Sequence, residues 1–157
     1  MQRYMVEIIS NSVDETVNYG IRLSSQLGGG ELIGLSGELG SGKTAFVKGI
    51  ASGFGYRGYV KSPTFTVVNQ YNTEKITLLH IDVYRLSSFE ELLLIGFETF
   101  IRDDTIILIE WFDKFFELSQ YKHIDIHLEY LGESGRKIIF NTNCDKYKSM
   151  LEHLCPG

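Results

Sequence analysis

The stretch Gly37-Glu38-Leu39-Gly40-Ser41-Gly42-Lys43-Thr44 satisfies G-x-x-x-x-G-K-[ST], the pattern of a phosphate-binding P-loop. Each residue type has a chemical reason. Glycines let the backbone curl so that successive N–H groups point inward at phosphate oxygens, in conformations costly for residues carrying a Cβ. Lys43 supplies a mobile charge for the β- and γ-phosphates, and the Thr44 hydroxyl can ligate Mg²⁺. The whole segment, with Glu38, Leu39 and Ser41, is therefore the candidate nucleotide-binding loop. Its flanks agree: residues 31–36 read as a short buried strand and residues 44–51 as a helix, whose N-terminal dipole would face the same anion. A Gly-rich turn beside an ordinary surface lysine is the competing reading, and the strand–loop–helix context argues against it.

The chain has 157 residues, which predicts one domain spanning 1–157 with a proper core. Hydrophobic content of 43% and charged content of 22% are globular values. A formal net charge of −5 argues against a protein that grips nucleic acid by itself. Aromatic content of 13% without a basic stripe gives no reason to expect base stacking. No apolar run approaches the length needed to span a bilayer, and residues 1–5 lack the apolar core of a signal peptide. Cys144 and Cys155 lack C-x-x-C spacing and read as two reduced thiols of a cytoplasmic protein, with a disulfide between them as the alternative.

Residues 6–9 read as an opening strand. Ser12 with Glu15 fits a capping box, followed by Val13, Val17, Ile21 and Leu27 at helical spacing. Gly28-Gly29-Gly30 reads as the C-cap and turn of that helix. Beyond the P-loop helix, Gly53, Gly55 and Gly58 mark a loop, and residues 65–71 and 76–82 read as strands around a turn at 72–75. Ser88 with Glu91 opens a further helix. Residues 105–110 form an unbroken apolar run ending in Glu110, the signature of a strand buried on both faces. Residues 124–130 and 136–140 make a hairpin around Gly132-Glu133-Ser134-Gly135, and a short helix starts at Asp145. The predicted fold is α/β: a P-loop NTPase-like three-layer sandwich whose mixed sheet has a mainly parallel core and an antiparallel C-terminal hairpin.

A P-loop needs an acid at the end of a buried strand to hold Mg²⁺. Asp82 and Glu110 both qualify. The uniformly apolar strand before Glu110 suits a central place beside the P-loop strand, which assigns Glu110 to the metal, directly or through water. Asp82 would orient the attacking water or a water on the metal. The two roles are interchangeable on sequence alone, and either acid could be a strand-end carboxylate meeting solvent. Ser62-Pro63-Thr64-Phe65 reads as an ordinary turn, although this region of P-loop proteins often carries a threonine that senses the γ-phosphate. His80, His123, His127 and His153 show no metal-ligand spacing. Tyr84 and Arg85 fit partner binding or plain packing equally.

Residues 37–44, Ser62-Pro63-Thr64-Phe65, His80-Ile81-Asp82-Val83-Tyr84-Arg85-Leu86 and Ile109-Glu110-Trp111, in this order and spacing, resemble the TsaE family. The resemblance covers nearly the whole chain. It implies an ATPase weak on its own, using ATP and Mg²⁺, that acts with a TsaD–TsaB pair to modify tRNA to threonylcarbamoyladenosine. It implies Lys43 and Thr44 as phosphate and Mg²⁺ contacts, Thr64 as the switch threonine, and Asp82 and Glu110 as the acids. It also implies Trp111 as a functional aromatic and Arg136 near the nucleotide. Contact with tRNA would come only through the partner complex, and no membrane is involved. Trp111 alone could equally be a core aromatic, and Phe115 and Phe116 could simply be buried. The chain departs from the family's proline after Glu-Trp and from its Leu-Pro step before the last hairpin. That leaves open the backbone path after Trp111 and any partner contact there.

Two other classes share these motifs. A small-molecule kinase would use the same loop but needs arginines to clamp the transferring phosphoryl group, and the six arginines of this chain are scattered. A non-hydrolytic adaptor would use ATP only to shift a conformational equilibrium.

Overall fold

The computed structural model describes residues 4–154, so the start of the N-terminal segment and Cys155 lie outside the described residues. Strand β1 (Tyr4–Ser10) leads into helix α1 (Val13–Ser24) through the predicted cap. The Ser12 hydroxyl accepts from the Glu15 N–H at 3.1 Å, while the Glu15 carboxylate reaches back to the Asn11 N–H at 2.6 Å. That is one residue further back than a standard capping box.

The buried stripe of α1 is not the one its aliphatic spacing suggests. Thr16, Gly20, Leu23 and Ser24 face inward, whereas Val13 is 63% exposed. The glycine decides this. A Cβ on Gly20 would lie 2.5 Å from the Phe46 carbonyl oxygen, and one on Gly49 would lie 2.0 Å from that of Val17. Backbone-to-backbone approach thus sets the helix rotation. Helix α1 also ends before the glycines, with Ser25 as C-cap and its hydroxyl donating to the Arg22 carbonyl. Gly29 and Gly30, at φ 114° and 90°, make the turn into the sheet instead.

Strand β2 (Leu32–Ser36) is buried throughout and delivers the P-loop to helix α2 (Lys43–Gly53), so Gly53 is the last helical residue rather than a loop glycine. Strand β3 (Val68–Asn72) starts later than expected. Residues 64–66 are turn, Phe65 is 81% exposed, and the Val67 N–H closes on the Pro63 carbonyl at 2.7 Å. The hairpin turn correspondingly runs from Thr73 to Ile76, and strand β4 (Thr77–Asp82) follows. Helix α3 (Phe89–Ile95), strand β5 (Thr105–Glu110), hairpin strands β6 (Ile124–Leu131) and β7 (Gly135–Thr142), and helix α4 (Asp145–Glu152) complete the chain. Ser88 caps α3 without a side-chain hydrogen bond, although the Glu91 carboxylate accepts from the Ser87 N–H.

Among the described residues seven strands form one sheet in the order β1-β7-β6-β2-β5-β4-β3. β6, β2, β5 and β4 run parallel, and β3, β7 and β1 pair antiparallel at the flanks. On one face Phe46, Val47 and Ile50 of α2 pack on Ile33, Leu35, Leu78, Ile106 and Leu108. On the other, Leu92, Phe97, Phe112 and Leu118 cover Ile81, Ile107 and Ile109. The expected α/β three-layer arrangement is present. Among the described residues no helix is long and apolar enough to cross a membrane.

Candidate functional site

The P-loop conformation follows from its glycines. Gly37, Gly40 and Gly42 take φ of 135°, 78° and 109°, in the region that side-chain-bearing residues rarely adopt. Gly42 starts α2 with no side-chain cap, so the first-turn N–H groups are left for another acceptor. Ser41 Oγ is fully buried and has no hydrogen-bond partner among the described residues. Lys43 folds back over the loop, donating to the carbonyls of Gly37 (2.6 Å) and Glu38 (3.0 Å), with its ammonium 4.2 Å from the centre of the Trp111 ring. Burial lowers its pKa below the usual lysine range, while Glu110, Asp82 and Asp113 oppose that shift.

Both acids sit at the carboxyl ends of adjacent parallel strands, directly opposite each other in register. Neither meets open solvent: Asp82 and Glu110 are both buried. β5 lies beside the P-loop strand, as its apolar run implies. The Thr44 hydroxyl stands 3.2 and 3.3 Å from the two Glu110 carboxylate oxygens. Asp82 Oδ2 accepts from Ser62 (3.2 Å) and Thr64 (2.9 Å), and Oδ1 accepts from the Tyr84 N–H (2.8 Å). The Ser62–Thr64 turn is therefore more than a turn, since it is tied to the candidate site through Asp82.

His80 was passed over in the sequence because it has no ligand-like spacing. It is 0% exposed, with Nε2 2.5 Å from Glu110 Oε2 and Nδ1 2.9 Å from the Tyr71 hydroxyl. Its one legible signal is position: two residues before Asp82 on a strand, it must share that residue's face. Arg136 braces the loop from outside. Its Nε donates to the Ser41 carbonyl at 2.9 Å and its guanidinium lies over the Tyr130 ring, while the Tyr130 hydroxyl donates to the Leu39 carbonyl.

Trp111 follows β5 at φ 62°, a left-handed conformation, and its ring packs tilted against Tyr84 with centroids 5.0 Å apart. The path after it, without the family's proline, is a 3-10 turn over Phe112–Lys114 that places the Phe112 ring over Gly34. Phe115 is buried, but Phe116 is 75% exposed, so the two are not both core residues. Arg85 packs its guanidinium 4.2 Å above the Phe65 ring. Among the described residues, Val67 at φ 70° is the other non-glycine residue with positive φ. Both strained residues flank the two acids, and backbone strain of this kind gathers at functional sites.

Lys43, Thr44, Thr64, Asp82, Glu110 and Arg136 all line one cavity of about 360 Å³, within the usual size of a small-molecule site. Its donor set suits a nucleotide–metal pair. The uncapped helix start fits phosphate, and one hydroxyl beside a carboxylate fits a hard cation.

Sheet order, loop and acids together define a P-loop NTPase-like protein. The sequence model of the TsaE family, described as "Threonylcarbamoyl adenosine biosynthesis protein TsaE", matches residues 10–138. The chain belongs to the TsaE family. It is 34% identical over 125 residues to the tRNA threonylcarbamoyladenosine biosynthesis protein TsaE of Bacillus subtilis (strain 168), covering 80% of this chain and 78% of that one. With the protein of the same name from Treponema pallidum (strain Nichols) it shares 37% over 131 residues, 83% of this chain and 96% of the relative. The crystal structure of Bacillus subtilis YdiB superposes with a TM-score of 0.80 at 25% identity, over 98% of this chain and 96% of that one.

Proposed function

We propose that this chain is a Mg²⁺-dependent ATPase subunit acting in threonylcarbamoyladenosine modification of tRNA, together with a TsaD–TsaB pair in the cytoplasm. The observation that carries the reading is the convergence of Lys43, Thr44, Asp82 and Glu110 on one cavity at the carboxyl ends of the parallel strands. The P-loop N–H groups and Lys43 bind the phosphates; for that, Lys43 must exchange the Gly37 and Glu38 carbonyls for phosphate oxygens. Thr44 and Glu110 hold Mg²⁺, which when bound neutralises charge developing on the phosphoryl oxygens. Asp82, fixed by Ser62, Thr64 and the Tyr84 N–H, orients the attacking water. Trp111, packed against Tyr84, walls the site on the Lys43 side. Arg136 keeps the loop in shape through the Ser41 carbonyl.

The net charge of −5 supports contact with tRNA through the partners rather than by this chain. The test is ATP turnover by purified protein, with and without Mg²⁺ and the partner pair. Slow hydrolysis that changes on adding the partners is the expected result. Absence of nucleotide binding, or full tRNA modification by the partners without this chain, would reject the proposal.

A further inference from the structure

The proposed reaction leaves a buried polar chain without a role. His80 and Tyr71 lie behind the acids, and Lys61 begins the segment in front of them. His80 shares its strand face with Leu78 and packs on the strand carrying Leu108, a place where an aliphatic side chain would fill the space as well. A fully buried imidazole is tolerated there because both nitrogens are satisfied. A carboxylate oxygen accepts, so Nε2 is the donor to Oε2. In the neutral ring Nδ1 then accepts from the Tyr71 hydroxyl.

The one proton of that hydroxyl is shared, its longer arm reaching the Lys61 carbonyl at 3.3 Å, and that carbonyl also accepts from the Asn69 side-chain amide at 3.2 Å. Lys61 directly precedes Ser62, and Ser62 and Thr64 are the residues that reach Asp82. Both acids are thereby tied to one segment, Asp82 directly and Glu110 through His80 and the shared proton of Tyr71.

We propose that His80 is a positioning residue for Glu110, and that the Glu110–His80–Tyr71–Lys61 chain makes the orientation of that carboxylate follow the 61–67 segment. The inference rests on the reading of Glu110 as an acid of the ATPase site. Thr44 bonds Glu110 from the loop side, and His80 Nε2 bonds it from behind, so the carboxylate is held between two elements rather than swinging about its own torsions. Groups that orient a ligating carboxylate typically change activity by roughly 10–100-fold when removed.

Two measurements on the full chain test this. The first needs no nucleotide: ¹⁵N-histidine NMR should show an exchange-protected Nε2 proton on His80, shifted downfield, that moves in Glu110→Gln and vanishes in His80→Gln. The second compares ATP affinity with turnover. His80→Leu should lose roughly 10–100-fold in turnover while ATP affinity changes by less than about threefold. His80→Gln, which offers an N–H in place of Nε2, should recover most of the loss, and Tyr71→Phe should fall between. The inference is overturned by an imidazole proton indifferent to Glu110→Gln, or by wild-type turnover in His80→Leu. Parallel loss of affinity, turnover and thermal midpoint, with His80→Gln no better than His80→Leu, also overturns it. Absence of hydrolysis in the wild type, with the Glu110-sensitive proton present, would reject the ATPase reading while supporting the positioning.

Discussion

At the residue scale, the cavity is organised by side chains whose bonds within the protein are replaceable by bonds to a ligand. Lys43 sits on two loop carbonyls, and Thr44 sits on Glu110. Glu110→Gln separates binding from chemistry. The amide keeps a carbonyl to accept from His80 Nε2, so the fold should hold, while the charge needed for the proposed metal is gone. ATP binding should persist and turnover should fall by about 100-fold or more, read from a binding titration beside a phosphate-release assay. The P-loop residues were legible because their reasons are local: glycines for positive φ, lysine for charge, threonine for a hydroxyl. His80 was legible only by its place two residues before Asp82, because its partner is a carboxylate thirty residues away in sequence. The bends at Val67 and Trp111 were not legible, since nothing in a valine or a tryptophan announces a left-handed backbone.

At the scale of elements, the P-loop helix is held against α1 through glycine rather than through large side chains. Gly49→Ala gains about 1 kcal/mol of helix propensity, yet its Cβ would meet the Val17 carbonyl oxygen at 2.0 Å. Overpacking of this kind costs about 1–3 kcal/mol or more. The net effect should be a lower denaturation midpoint, and α2 should shift enough to weaken nucleotide binding, both measurable in one titration series. The C-terminal helix makes a separate prediction. Burial first, then Glu31 and Cys144, push the Tyr147 hydroxyl from 10.0 up to about 12. The folded state thus favours the neutral phenol. That contribution is fully present below pH 10 and is lost as pH rises from 10 toward 12. Tyr147→Phe should flatten the alkaline fall in stability over that window, followed by denaturant unfolding at stepped pH. Element identities were legible from periodicity and caps. The rotation of α1 and the late start of β3 were not, because a glycine contact and the Thr64–Asp82 bond outweigh the local apolar pattern.

At the scale of the whole molecule, ligand binding and folding are coupled. With ATP and Mg²⁺ at about 100 times the dissociation constant, stability should rise by about 2.7 kcal/mol; chelating the metal or introducing Lys43→Ala should remove most of that gain in a thermal-shift experiment. The acidic surface gives a second expectation. At physiological salt the isolated chain should not retain tRNA in a filter-binding assay, whereas the chain mixed with its partners should. The sequence by itself determined the P-loop motif, the buried parallel strands and the two acids that end them. Those depend on steric rules and on hydrophobic burial, which act between near neighbours along the chain. Only the tertiary structure decided that Asp82 and Glu110 stand opposite each other, that Thr64 and His80 bond them, and that Arg136 braces the loop. Strand register and helix approach bring those side chains together, and both are set by packing between segments far apart in sequence.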